Sequence, residues 1–187
     1  MHIYRHKNQL LTALLEQVSS QPSRPLIIGI DGRSGSGKTS LAAELASQLR
    51  ARGSATEIFH LEDLYLGWEG LAQAVETWAE LSASLKENKR GSYYSWDWQQ
   101  QGKTGPHELK LPSQGLLICE GVGACLGRVD LSCWLELPGP IRKKRALERD
   151  GKLFADYWQI WAAQEESLLK SHHKQYAQIT NILRLHH

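Results

Sequence analysis

Residues 32–39 read Gly32-Arg33-Ser34-Gly35-Ser36-Gly37-Lys38-Thr39, which satisfies the pattern G-x-x-x-x-G-K-[ST] at every fixed position. Such a loop needs a strand before it and a helix behind it, and both are present. Leu26-Ile27-Ile28-Gly29-Ile30 is short, apolar and β-branched, as a buried strand is. Leu41, Leu45 and Leu49 then recur at helical spacing, with Ala42 and Ala46 beside them. Glycines let the backbone wrap tightly enough for successive amides to point at one anion. The helix that follows adds the positive end of its dipole. Gly32, Arg33, Ser34, Gly35, Ser36, Gly37, Lys38, Thr39 and Ser40 are therefore the expected cradle for nucleotide phosphates. In it Lys38 reaches the β- and γ-phosphates, and the Thr39 hydroxyl holds Mg²⁺.

The rest of the chain supplies more of the same alternation. Leu10, Leu11, Leu14, Leu15 and Val18 form one helical face, which predicts a leading helix at about 7–20, ended by Pro22-Ser23-Arg24-Pro25. A second strand is expected over Thr56–Leu61, and a helix with Leu71, Ala74, Val75, Trp78, Leu81 and Leu85 on one side. Residues 87–114 are polar, contain many Gly, Trp and Tyr, and show no regular period. Buried strands follow at Gly115–Gly121, ending on Glu120, and at Leu131–Leu137, closed by Pro138-Gly139-Pro140. Helices are predicted at about 140–150 and 153–171, and a last strand at 179–183. Continuous apolar strands alternating with helices imply one α/β domain over 1–187. The predicted architecture is a three-layer α/β/α sandwich on a mostly parallel, five-stranded sheet.

Charge narrows the partners. The chain has 22 basic and 20 acidic residues, a formal charge of +2, and no basic stripe, which argues against nucleic acid. No apolar run approaches the ~20 residues of a membrane span, and the N-terminus lacks the apolar core of a signal peptide. Cys119, Cys125 and Cys133 show no metal-ligand spacing, and an odd, apolar-flanked set fits a reducing cytoplasm. Partners are then a small molecule and, as an open case, a second copy of the chain.

In parallel sheets ligands bind at the carboxyl ends of the strands. The phosphate loop, Glu62-Asp63 and Glu120 all fall there. Glu120 is the expected second metal ligand, and Glu62 or Asp63 the base that takes a hydroxyl proton. Arg142, Arg145 and Arg149 share one helical face, continued by Lys152, and are expected to close over a triphosphate. Arg142 would bind the nucleotide, and Arg145 and Arg149 would stabilise transferring charge. Tyr93, Trp96, Asp97 and Trp98 suit a sugar-like or heterocyclic acceptor, with rings to stack and a carboxylate to accept from hydroxyls. Phe154, Trp158 and Trp161 read as core.

With these residues assembled, the chain resembles the uridine kinase-like group of P-loop small-molecule kinases, which includes bacterial pantothenate kinase and phosphoribulokinase. The likeness runs from residue 26 onward. Leu61-Glu62-Asp63-Leu64-Tyr65 is similar to the group's D-x-F-Y segment. Aligned on Tyr65, it puts Glu62 at the base position, with Asp63 one residue later, and places Tyr65 beside the acceptor. Glu120-Gly121 matches a recurrent strand end, Ser95-Trp96-Asp97-Trp98 loosely matches an acceptor segment, and the arginines match a lid by kind. A closer likeness is to uridine kinase-like bacterial proteins with D-L-Y-x-G-W, here Asp63-Leu64-Tyr65-Leu66-Gly67-Trp68. The resemblance implies ATP- and Mg²⁺-dependent phosphorylation of a small-molecule hydroxyl. The alternatives are a nucleoside monophosphate kinase, or a P-loop NTP-binding switch or ATPase acting through a partner.

Overall fold

The structure is a computed structural model. It describes residues 1–185 except Ser23 and Trp98, and of Lys152 and Leu153 it describes the backbone alone. Every residue of β2 (Leu26–Asp31) and of β6 (Leu116–Glu120) is buried, as expected for strands covered on both faces. They pair in the middle of a sheet that also contains β1 (His2–Tyr4), β3 (Thr56–His60), β7 (Leu131–Glu136) and β8 (Asn181–Arg184). The order is β1-β8-β7-β2-β6-β3, and every pairing is parallel. The sheet thus has six strands where the sequence predicts five. The added edge, β1, is three residues long and largely exposed, so it carries no alternation to read.

The side-chain period of a strand divides the apolar residues into two cores. Leu26, Ile28 and Ile30 meet Leu116 and Ile118 beneath α1 (Lys7–Ser20) and α2 (Lys38–Ala51). Ile27, Leu117 and Cys119 face the other way, toward α3 (Leu71–Asn88) and α4 (Gly139–Ser171). Burying each such Leu or Ile side chain contributes roughly 1.5–3 kcal/mol. The buried faces of α1, α2 and α3 contain the residues that helical spacing picks out. Trp78 of α3 is fully buried because its polar atom is satisfied: Nε1 donates to the Ala124 carbonyl at 2.9 Å, and the ring stacks on Phe59.

Two features depart from the sequence reading or sharpen it. The irregular stretch 87–114 is an antiparallel hairpin, β4 (Arg90–Asp97) with β5 (Gly102–Lys110), apart from the main sheet and lying against α3. The predicted helices at 140–150 and 153–171 are two arms of α4, broken at Gly151, whose φ of 68° and ψ of −151° lie where glycine alone is unstrained.

Candidate functional site

The parallel sheet brings the ends of β2, β3 and β6 to one edge, and the phosphate loop springs from the first of them. Asp31, the last residue of β2, is fully buried and accepts amide protons from Gly32 at 2.6 Å, Gly123 at 2.9 Å and Cys125 at 3.0 Å. It ties the loop's root to the turn after β6. Burial raises its pKa and the amides oppose the rise. The sequence reading missed it, because its partners lie about 90 residues away.

The loop itself is gripped by both arms of α4. Each polar group of Ser34 is engaged. Its amide donates to Glu165 Oε1 at 2.7 Å, its carbonyl accepts from Arg142 at 3.1 Å, and its hydroxyl accepts from Trp161 Nε1 at 2.8 Å. Arg33 turns the same way, onto Glu165 Oε2 at 2.8 Å and the Ala162 carbonyl. Gly35 is required here, since a Cβ would sit 2.1 Å from the Arg142 carbonyl oxygen. Arg142 is thus corrected from a mobile arginine over the triphosphate to a buried strut under the loop, its Nε also held by the Leu137 carbonyl. The Arg33 side chain likewise points away from the phosphate cradle.

Lys38 opens α2 and is buried, with Nζ 3.3 Å from the Arg33 carbonyl. Burial lowers its pKa, and the charges of Glu120, Glu165 and Asp31 oppose that. Thr39 Oγ1 donates to Glu120 Oε1 at 3.1 Å, and His60 Nδ1 lies 2.7 Å from the same oxygen. A hydroxyl and a carboxylate at the loop are hard oxygen donors, a set that suits Mg²⁺ when nucleotide phosphates complete its shell. Among the described residues no group of three or more His, Cys, Asp or Glu side chains could hold a metal by itself.

Two cavities open at this edge, of about 590 and 430 Å³. Both are lined by Gly35, Lys38, Thr39 and Arg149. The smaller adds Gly37, Ser40 and Arg145, which brings together the nucleotide residues and two of the expected arginines. Both arginines are exposed, and Arg149 chelates Asp150 at 2.6 and 2.7 Å. The larger cavity brings in Glu62, Asp63 and Glu120, with Tyr65 and Trp96. Glu62 and Asp63 sit on the short 3-10 turn after β3, with both side chains in the solvent of the cleft. Both have raised pKa values, first from desolvation. Glu62 next feels Glu120 and Arg149, whereas Asp63 next feels His60 and His107.

The hairpin delivers less than expected. Trp96 lines the larger cavity, but Tyr93 does not; its ring meets Phe59 edge-on at 5.2 Å. Asp97 is not among the lining residues either. Its Oδ1 accepts the Gln99 and Gln100 amides at 2.8 and 2.9 Å, so it caps the hairpin turn. Trp98 lies outside the described residues, as does the Lys152 side chain. Tyr65 presents its ring, while its hydroxyl is 3.2 Å from the Val122 amide, from which it accepts. The wall is instead built by Trp68, Phe154 and Trp161, the last two drawn from the stripe read as core. They are core and wall at once: each is buried, yet each borders the cavity.

A model of the KAP family P-loop domain matches residues 7–183. The chain belongs to this family. No curated protein matches it. Among solved structures, a possible uridine kinase from Bacillus stearothermophilus superposes with a TM-score of 0.65 at 20% identity, over 94% of this chain and 98% of that one. A candidate fructose transport system kinase from Silicibacter sp. TM1040 gives 0.61 at 18% identity, over 98% of this chain and 100% of that one. These likenesses show the fold, that of P-loop kinases. Among the described residues no helix is long and apolar enough to cross a membrane.

Proposed function

We propose that this KAP-family chain transfers the γ-phosphoryl group of ATP to a hydroxyl of a small molecule. One observation supports this reading above others: the cavity over the phosphate loop adjoins, along Gly35, Lys38, Thr39 and Arg149, a second cavity lined by carboxylates and aromatic rings. A phosphoryl donor and an acceptor need two rooms with a common wall, and the shared cations stand where charge develops.

The smaller cavity takes the triphosphate, with loop amides and Arg145 on its oxygens. Mg²⁺ held by Thr39 and Glu120 supplies charge neutralisation when bound. Glu62 is the better candidate for the base, since it feels Glu120 and Arg149 more strongly than Asp63 does. A base must reach the hydroxyl next to the γ-phosphate. Asp63 lies toward the hairpin side and orients the acceptor. A nucleoside monophosphate is a poor acceptor here, because no described residue that is peculiar to the larger cavity is basic.

ADP release by the purified chain, measured with Mg-ATP against a panel of nucleosides, sugars and vitamins, tests the proposal. The expected result is acceptor-dependent turnover that Glu62→Gln lowers by more than Asp63→Asn does, with the KM for ATP held. Family membership favours a second reading, an NTPase that acts through a partner. ADP release indifferent to every acceptor and raised by a partner protein would establish that reading instead.

A further inference from the structure

The larger cavity has a chemical bias beyond its general role. Of its lining residues not shared with the smaller cavity, Glu62, Asp63, Glu120 and Asp150 are carboxylates. Tyr65, Trp68, Trp96, Phe154 and Trp161 are aromatic, and none of the described ones is basic. Three of the carboxylates have work: Glu120 takes the Thr39 hydroxyl and the metal, Asp150 pairs with Arg149, and Glu62 faces the reacting hydroxyl. Asp63 makes no ion pair among the described residues, and it lines the same cavity as Trp96 and the other rings. Trp96 belongs to neither hydrophobic core. It is carried on the hairpin, its ring edge lying over Gly67, and it borders the cavity.

A solvent-accessible carboxylate in a cleft walled by aromatic faces is the recognition chemistry of an organic cation, since rings attract cations through their quadrupoles and a carboxylate neutralises them. The cavity's cations among the described residues, Lys38 and Arg149, stand on the wall shared with the phosphates, so an anionic acceptor would meet Glu62, Asp63 and the negative charge of the nucleotide, and like charges facing each other cost affinity. We propose that the acceptor half of the cleft binds a hydroxylated organic cation, an amino alcohol or a quaternary ammonium alcohol, with Asp63 as counter-ion and Trp96 as its aromatic face. This rests on the phosphotransfer reading for what the hydroxyl does, but the ligand class follows from the wall itself. The transfer balances simply. The cation's hydroxyl oxygen bonds to the γ-phosphorus, the bond to the β-γ bridging oxygen breaks, ADP leaves, and Glu62 takes the hydroxyl proton.

The test uses three probes of matched shape: choline, its neutral carbon isostere neopentylcarbinol, and the anion hydroxypivalate. Each is titrated into the intact chain with Mg and a non-hydrolysable ATP analogue, and binding is read by calorimetry. ADP release with Mg-ATP is measured in parallel. Choline is expected to bind at least tenfold tighter than the isostere. Trp96→Leu and Asp63→Asn should each remove most of that preference while leaving the affinity for the ATP analogue unchanged. Equal or tighter binding of the isostere or the anion overturns the proposal, as does the absence of any cation binding. Cation binding without ADP release sinks the phosphotransfer reading and leaves the ligand class standing. ADP release with the neutral or anionic probe at equal or lower KM upholds that reading and removes the ligand class.

Discussion

Glu165 Oε1 accepts the amide proton of Ser34 at 2.7 Å, across 131 residues of chain. A carboxylate that is 1% exposed therefore holds an amide of the phosphate loop. The same carboxylate binds Arg33 and stands 3.9 Å from Arg142. These contacts fix the loop from α4, and a loop so held needs less ordering on binding phosphate.

Glu165→Ala should be costly. It leaves the Ser34 amide without its acceptor and strips Arg33 and Arg142 of their carboxylate in a buried setting, where breaking a pair costs about 3–5 kcal/mol. Discounted for the partial exposure of Arg33, a loss of about 2–4 kcal/mol is expected, or roughly 5–15 °C in melting temperature for a domain of this size. Thermal unfolding followed by circular dichroism checks this. Glu165→Gln, which keeps one carbonyl oxygen for the Ser34 amide, should lose less than half as much.

Lys38→Ala should behave in the opposite way. Lys38 is buried at a cost, as its lowered pKa indicates, so its removal spares the fold. Turnover should fall by a factor on the order of 10² or more, the usual loss on removing one preorganised group from transferring charge. A variant with wild-type ADP release would end the assignment of the loop as the donor site.

The cleft carboxylates make stability and activity run against each other with pH. Glu62 and Asp63 have folded pKa values above the unfolded 4.5 and 3.8, so the native state holds their protons more tightly. Their favourable contribution is complete below those unfolded values and is lost as pH rises through the raised folded values. Melting temperature of the metal-free chain should thus contain a component that falls with pH over this window, and the Glu62→Gln/Asp63→Asn pair should flatten it. A deprotonated base is needed for turnover, so the acid limb of kcat/KM should be displaced upward from the ordinary value of the group that acts as base. Parallel melting and rate profiles, in chelator for the former, read both signs.

Asp97→Asn should leave the KM of ATP and of any acceptor unchanged, because Asp97 spends its Oδ1 on the hairpin turn. Asp97→Ala should loosen that turn by about 0.5–1.5 kcal/mol, the net value of an ordinary hydrogen bond. Hydrogen exchange at the Gln99 and Gln100 amides reports it directly.

What could be read from the sequence had a local period or a fixed spacing. The phosphate loop, the faces of α1, α2 and α3, and Glu120 at the end of β6 all carry such a signal. The hairpin escaped because only one of its faces meets protein, and bulky polar residues mask the alternation. Asp31, Glu165 and the cavity faces of Phe154 and Trp161 escaped for another reason. Their roles depend on partners in other elements, and an apolar helical stripe looks the same whether it abuts a strand or an open cleft. Arg142 shows the converse failing: spacing put it on the face of Arg145 and Arg149, but its depth, set by Pro138 and the loop, decides that it is a strut.

Gly151 gives α4 the mechanics of a jointed lever. The outer arm carries Arg145 and Arg149 beside the smaller cavity and is pinned to the loop at its root by Arg142; the inner arm is bolted to the loop by Trp161 and Glu165, and two dihedral angles separate them. No atom outside the backbone neighbourhood lies within 4 Å of where a Cβ would be, so the joint itself is open; Arg142 and Ala146 bury the root of the outer arm, and its end from Glu148 to Asp150 meets solvent. Drag then enters the catalytic cycle. If a swing of that end governs product escape, kcat should fall in proportion as sucrose thickens the medium, and Gly151→Ala, which strains the joint by about 1–3 kcal/mol, should change that slope. A kcat indifferent to viscosity in both proteins would mean that the lever moves faster than the chemistry it covers.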